Sequence, residues 1–292
     1  MLKLLIPKGS LEEKTFWIFD QAGIKIRKIS ERGYDLAIND KRIASVMMLR
    51  PQEIPEYVAS GDFDFGITGL DWVVERGVKI VKVADLKYSR QGWNKVKVIL
   101  ATDGKNPVEK KSEIKSDARI VTEYPNITKK YFQSIGKKNV RIKFSYGATE
   151  GKVPKLADYF VDITETGQTL RANGNKILDV LLESSTYLIA GQSVWRNKEK
   201  KQAILEIAEL LMRVVRAQDK ILIKFNISSA KLKSILKYVP ALESPTIARL
   251  AGGEKYAVET VAPKCSLSNL ITDLRKNGAT NILEMEIKGL IP

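Results

Sequence analysis

At 292 residues, 44% hydrophobic and 28% charged, the chain is long enough for two or three domains and has the composition of a folded globular protein. A formal charge of +15 points to anionic partners, and polyphosphate substrates explain it as economically as nucleic acid. With no histidine and one cysteine, Cys265, an imidazole base, a serine–histidine relay, histidine-ligated zinc, a cysteine-rich metal site and an internal disulfide are all excluded.

The opening segment Met1–Pro7 is too short for a secretory apolar region. No apolar run approaches the roughly 18–20 residues of a membrane span, so a cytoplasmic chain without membrane partners is expected. Leu2–Ile6 reads as an apolar strand. Ser10 with Glu13 has the spacing of a capping box, opening a helix that Gly23 ends. Strands follow near Ile24–Arg27, Ala44–Leu49, Phe63–Thr68 and Val78–Val83, with a short helix at Ile54–Ser60. Further strands are expected at Val96–Ala101, Arg119–Thr122, Val140–Phe144 and Tyr159–Thr164. The helix among them is Asn126–Ile135, with Asn126 as its cap, and Leu156–Asp158 is read as helical. Thr186–Ala190 is one more buried strand, and Lys198–Ala217 keeps a helical period through Ile204, Ile207, Leu211 and Val214. This alternation predicts parallel or mixed sheets covered by helices.

The last part changes character. A strand at Ile221–Asn226, a helix at Ser229–Tyr238, strands at Thr246–Leu250 and Tyr256–Val261, a helix at Leu267–Lys276 and a strand at Asn281–Ile287 make the order βαββαβ. That order is ferredoxin-like.

The chemistry concentrates in turns. Asp162-Ile163-Thr164-Glu165-Thr166-Gly167-Gln168-Thr169 runs from a strand end through a hydroxyl-rich loop into a short helix. Such a turn aims backbone amides and threonine hydroxyls at one point, which suits a phosphate, while Asp162 suits a ribose hydroxyl or magnesium. Lys8-Gly9-Ser10 occupies the matching turn after the first strand, and Thr68-Gly69 repeats the strand–turn–helix design. Arg50 ends another strand with a planar donor fork suited to phosphate. Glu150 either binds a ribose diol or metal or caps a helix. Lysine pairs such as Lys110-Lys111 and Lys137-Lys138 read as solvated surface, and a nucleic-acid partner is not expected.

With these residues quoted, the chain resembles the long form of ATP phosphoribosyltransferase, the first enzyme of histidine biosynthesis. Pro7-Lys8-Gly9, Leu49-Arg50-Pro51, Asp64–Gly69, Thr122–Asn126, Gly147–Glu150, Asp162–Asn173 and Leu242–Thr246 carry the resemblance. It implies an α/β fold with a two-lobed core of periplasmic-binding-protein type and a carboxy-terminal ferredoxin-like regulatory domain. The implied division is 1–95 with 184–218 as the first lobe, 96–183 as the second and 219–292 as the regulatory domain. By resemblance, Asp162, Thr164, Glu165, Thr166, Gly167, Gln168 and Thr169 hold phosphoribosyl pyrophosphate. Lys8, Gly9, Arg50, Thr68, Gly69 and Glu150 line the cleft around ATP, with Asp162, Lys8 and Arg50 catalytic. Magnesium dependence, a homo-oligomer (a hexamer, with a dimer as the alternative) and feedback inhibition by histidine are also implied, the magnesium ligands being left open. Asn226, Leu242, Ser244 and Thr246 would meet the histidine. Asn226 stands where an acidic residue is expected to meet its amino group, a loss of about 1–3 kcal/mol of effector binding. The rival reading is a two-lobed small-molecule sensor without catalysis.

Overall fold

The computed structural model describes residues 1–30, 33–89 and 92–291. The chain divides into two compact units, Met1–Glu209 and Leu210–Pro292.

The first unit begins with β1 (Leu2–Pro7), α1 (Glu12–Gln21), β2 (Ile26–Lys28), β3 (Asp35–Ile38) and β4 (Ile43–Leu49). It continues through α2 (Ile54–Ser60), β5 (Phe65–Gly69), α3 (Leu70–Arg76) and β6 (Ile80–Asp85). A second set follows: β7 (Val96–Asp103), β8 (Arg119–Thr122), α4 (Pro125–Ser134), β9 (Arg141–Phe144), β10 (Tyr159–Thr164), α5 (Gln168–Ala172) and β11 (Asn175–Ser184). The chain then returns with β12 (Thr186–Gly191), α6 (Gln192–Arg196) and α7 (Lys198–Ala217). Two sheets result, in the orders β2-β3-β4-β1-β5-β12-β6 and β11-β7-β10-β8-β9. They define two lobes, and β12 closes the first sheet between β5 and β6.

Parallel pairing decides where chemistry can sit. β1 pairs parallel with β4 and β5, and β8 pairs parallel with β9 and β10. The carboxyl ends of these strands therefore lie together at one edge of each sheet, the edge where open α/β sheets bind ligands. Central strands bury both faces. In β10, Val161 packs with Val98, Leu100 and Ile120, while Phe160 packs with Ile99, Ala101 and Leu170 on the other side.

The second unit holds β13 (Lys220–Ser228), α8 (Ser229–Ile235), β14 (Thr246–Arg249), β15 (Lys255–Pro263), α9 (Leu267–Lys276) and β16 (Thr280–Glu286). Their antiparallel order, β14-β15-β13-β16, is that of the expected ferredoxin-like fold. Ile221, Ile223, Phe225 and Ile227 alternate along β13 to face a core completed by Ile235, Val258 and Leu274.

Several local expectations fail. No Ser10–Glu13 box forms: Leu11 occupies the cap position, and Glu12 instead accepts the Gly9 N–H at 3.3 Å. Asn126 is not a cap but lies inside α4, after Tyr124 and Pro125. Leu156–Asp158 forms turns, not a helix. Strands β3 and β11 and helix α6 have no counterpart in the sequence reading. In β11 the register shifts twice against β7, between Ile177 and Asp179 and again between Val180 and Leu182. Each bulge breaks the two-residue alternation that would reveal a strand.

Candidate active site

One cavity of about 790 Å³ collects side chains from both lobes. From the first come Lys8 and Gly9 after β1, Arg50 after β4 and Gly69 at the end of β5; from the second come Glu123 after β8, Ala148 and Glu150 after β9, and Asp162 with the loop after β10. Cations thus face acids and hydroxyls across one space.

The loop after β10 is built by its own hydroxyls. Thr164 Oγ1 accepts the Gly167 N–H at 3.0 Å, and Thr166 Oγ1 accepts the Gln168 N–H at 3.3 Å. Each hydroxyl keeps its own proton for a further acceptor. Arg171 ties the loop from below by donating to the Thr166 carbonyl at 2.8 Å. Gly167 adopts φ +71°, and a Cβ there would lie 3.0 Å from both the Arg171 guanidinium and Ile177. The positive φ favours glycine here, while the two neighbours are side-chain ends that can shift. Thr164, Glu165, Thr166, Gln168 and Thr169 line the cavity, whereas Gly167 is buried and shapes the turn.

Asp162 accepts the Ile163 N–H at 2.6 Å and a short hydrogen bond from the Thr149 hydroxyl. Burial pushes its carboxyl above the ordinary range, helped by the charge of Glu150 and opposed by those two donors. Glu123 is also raised, first by burial and then by Asp162, while Lys152 and Arg50 pull it down. Lys152 in turn donates to Gly147 O at 2.9 Å and to Ser145 Oγ. Among the described residues no group of three or more acidic or cysteine side chains is close enough to hold a metal ion by itself.

Other expected residues have different work. Thr68 does not line the cavity: it is fully buried and its hydroxyl donates to Pro51 O at 2.7 Å, holding the turn that carries Arg50. Asp64 is also buried, accepting the Lys3 N–H at 2.7 Å and the Lys200 ammonium at 2.8 Å. The Tyr124-Pro125-Asn126 turn joins the lobes rather than facing ligand alone. Tyr124 stacks on Trp72 with ring centroids 4.5 Å apart and donates to Asp71 at 2.9 Å. Asp71 also accepts from Ser184 at 2.6 Å, and burial pushes its carboxyl up. Glu123 was missed as a site residue, although its signal was present: it follows a parallel strand as Arg50 does.

In the second unit Asn226 shares with Lys224 the face of β13 turned away from the core. Thr246 pairs with Glu259, which pairs with Lys224, so Asn226 and Thr246 share one sheet face. Leu242 and Ser244 are exposed in the segment before β14.

Comparison with known proteins follows the same division. Residues 50–214 match the family model described as ATP phosphoribosyltransferase, and residues 217–289 match the HisG C-terminal domain. The ATP phosphoribosyltransferase of Thermodesulfovibrio yellowstonii is 39% identical over 292 residues, covering 100% of this chain and 99% of the relative. That of Chlorobaculum parvum is 40% identical over 291 residues, covering 100% and 98%. A solved chain of the ATP phosphoribosyl transferase (HisG:HisZ) complex from Thermotoga maritima aligns with TM-score 0.63 and 29% identity. It covers 74% of this chain and 99% of its own length.

Proposed function

This chain belongs to the ATP phosphoribosyltransferase family in its long form, and from that premise we propose the roles of its residues. The reaction moves the phosphoribosyl group from phosphoribosyl pyrophosphate to N1 of the adenine of ATP. The N1 lone pair attacks the anomeric carbon, the bond from that carbon to pyrophosphate breaks, and pyrophosphate leaves with the electron pair. A substrate nitrogen is the nucleophile, so a chain without histidine loses nothing.

The observation that carries the residue roles is the cavity where parallel strands of both lobes end, with cations on one wall and the phosphate-type loop on the other. Thr164, Thr166, Gln168 and Thr169 hold the 5′-phosphate around the turn that Gly167 permits. Asp162 orients the ribose hydroxyls. Lys8 and Arg50 offset the charge that builds on departing pyrophosphate, the electrostatic half of the catalysis. Gly9, Gly69 and Glu150 flank ATP, and Glu123 adds a second acid beside Asp162. Alignment of the two substrates is the other half, for which intramolecular models supply up to roughly 7–11 kcal/mol.

Magnesium fits this site as a companion of the substrate phosphates. The protein offers Asp162 and Glu123 but no three-acid cage among the described residues, and magnesium is commonly held by one or two carboxylates plus substrate oxygens. When bound it would supply charge neutralisation at the pyrophosphate.

We assign 1–95 with 184–218 and 96–183 to the two catalytic lobes and 219–292 to regulation. Histidine is the proposed effector there, through Asn226, Leu242, Ser244 and Thr246, in a homo-oligomeric, cytoplasmic enzyme with the hexamer as the preferred form. Among the described residues no helix is long and apolar enough to cross a membrane.

The assay is product absorbance from ATP plus phosphoribosyl pyrophosphate. Asp162→Ala should raise KM for phosphoribosyl pyrophosphate by about tenfold or more and lower kcat, since a group binding the reacting sugar contributes to both. Wild-type kinetics in this variant would remove Asp162 from the site.

A further inference from the structure

The phosphate loop is not held by its own lobe alone. Glu165 sits between Thr164 and Thr166, yet its carboxylate accepts a short hydrogen bond from Ser89 Oγ, 76 residues away in the first lobe. Ser89 is 3% exposed and follows β6, where the chain leaves the first sheet before entering β7. Its backbone is pinned as well: Ser89 N–H donates to Gly92 O at 2.9 Å. The Lys14 ammonium donates to Ser89 O at 2.9 Å and Gly92 O at 3.1 Å. Burial lowers Lys14 below the ordinary lysine range, and the charge of Glu165 opposes that shift. Lys14 lies on α1, the helix that follows Lys8 and Gly9. A continuous polar path therefore runs from that helix, through the turn at Ser89, to the loop after β10.

We infer that Glu165 is a positioning residue and not a ligand of substrate: its hydrogen bond to Ser89 fastens the loop of residues 164–169 to the first lobe. Chemistry favours this assignment. An ionised carboxylate is an acceptor only and has no hydrogen to offer a phosphate, which it also repels. Ser89 and Lys14 supply the donor and the positive charge that a phosphate could not. Glu165 and Ser89 border the same cavity as the threonines on either side, but the carboxylate is engaged by Ser89 whereas the threonine hydroxyls keep a proton to donate. Fastening the loop across the lobes fixes the distance between the two walls of the site, and alignment of two substrates depends on that distance. The inference rests on the reading of this loop as the grip for phosphoribosyl pyrophosphate.

The test uses the full chain with Ser89→Ala and Glu165→Ala, singly and together, and Ser89→Thr as the conservative variant. Each single alanine variant should raise KM for phosphoribosyl pyrophosphate about tenfold, the usual effect of losing a charge-assisted hydrogen bond, while KM for ATP and kcat stay within about threefold. The double variant should be no worse than Glu165→Ala alone, because that change already removes the acceptor that Ser89 donates to. Ser89→Thr keeps the hydroxyl and should restore wild-type values. Hydrogen exchange without substrate gives a second readout: amides of residues 164–170 should exchange about tenfold faster in Ser89→Ala, since the loop loses a tether of that strength.

Unchanged KM and unchanged exchange in Ser89→Ala would overturn the inference. So would a normal Ser89→Ala beside a defective Glu165→Ala, the pattern of a direct ligand. Thr169→Val separates the two levels. If that variant leaves KM for phosphoribosyl pyrophosphate unaltered, the phosphate-loop reading falls, whereas the exchange experiment still decides whether Ser89 tethers the loop.

Discussion

Asp162 is an acid that lines the cavity and is held there at the expense of stability. Burial raises its carboxyl, so the folded state prefers the protonated form more than the unfolded chain does. In the pH window between the ordinary carboxyl value and the raised one, the folded protein binds more protons. Stability therefore falls as pH rises through that window, and the cost is complete above it. Asp162→Asn should accordingly be more stable than wild type at pH 7, by about 1 kcal/mol or roughly 2–4 °C in melting temperature. Thermal melts from pH 8 downward should show that advantage shrinking as wild-type Asp162 protonates. A variant melting below wild type at pH 7 would mean that the ionised carboxylate is not strained by the fold.

Elements are joined here by side chains from other elements. Pro125 opens α4 without an N–H of its own, and the next two amides, of Asn126 and Ile127, both donate to the Glu75 carboxylate of α3 at 2.9 Å. Asn126 Nδ2 also donates to Glu75 O at 3.0 Å. Glu75 is 4% exposed, so its loss leaves the buried Ile127 amide without a partner and the Asn126 amide, on an exposed residue, to water. Glu75→Ala should cost about 2–4 kcal/mol in urea unfolding, and Glu75→Gln, which keeps one acceptor oxygen, about half of that. An alanine variant within about 0.5 kcal/mol of wild type would show that water satisfies those amides instead.

At the scale of the whole molecule, the cavity and the four-stranded antiparallel sheet belong to separate units of one chain. The ferredoxin-like unit turns Ile221, Ile223 and Phe225 inward and leaves Asn226 and Thr246 on the opposite sheet face. If that face binds histidine, the neutral Asn226 forgoes a charge-assisted bond to the ligand's ammonium group. Isothermal titration should then find weak binding to the wild-type enzyme, and Asn226→Asp should tighten it about tenfold or more. Absence of heat at millimolar histidine in both proteins would remove the effector assignment.

Most elements were legible in the sequence because their signals are local. Helix α7 shows its period over twenty residues, and α2, α9 and β10 fall where the pattern puts them. The strand–turn–helix after β10 was legible for the same reason: strand, hydroxyls, glycine and helix are contiguous. What stayed hidden involves contacts far apart in the chain. Strand β11 is revealed only by pairing with β7 through two bulges, and Asp71 meets Ser184 across 113 residues. Asn126 looked like a cap because it precedes a helix, but Glu75, 51 residues earlier, takes that role. Likewise the hydrogen bond from Ser89 to Glu165 joins residues 76 apart in the chain. Periodicity and turn chemistry act within a few residues of chain, so sequence alone determined most of the secondary elements and the hydroxyl-rich turn after β10. Only tertiary structure decided which donors each acid meets, Ser89 for Glu165 and the α4 amides for Glu75, because folding brings those donors from distant parts of the chain.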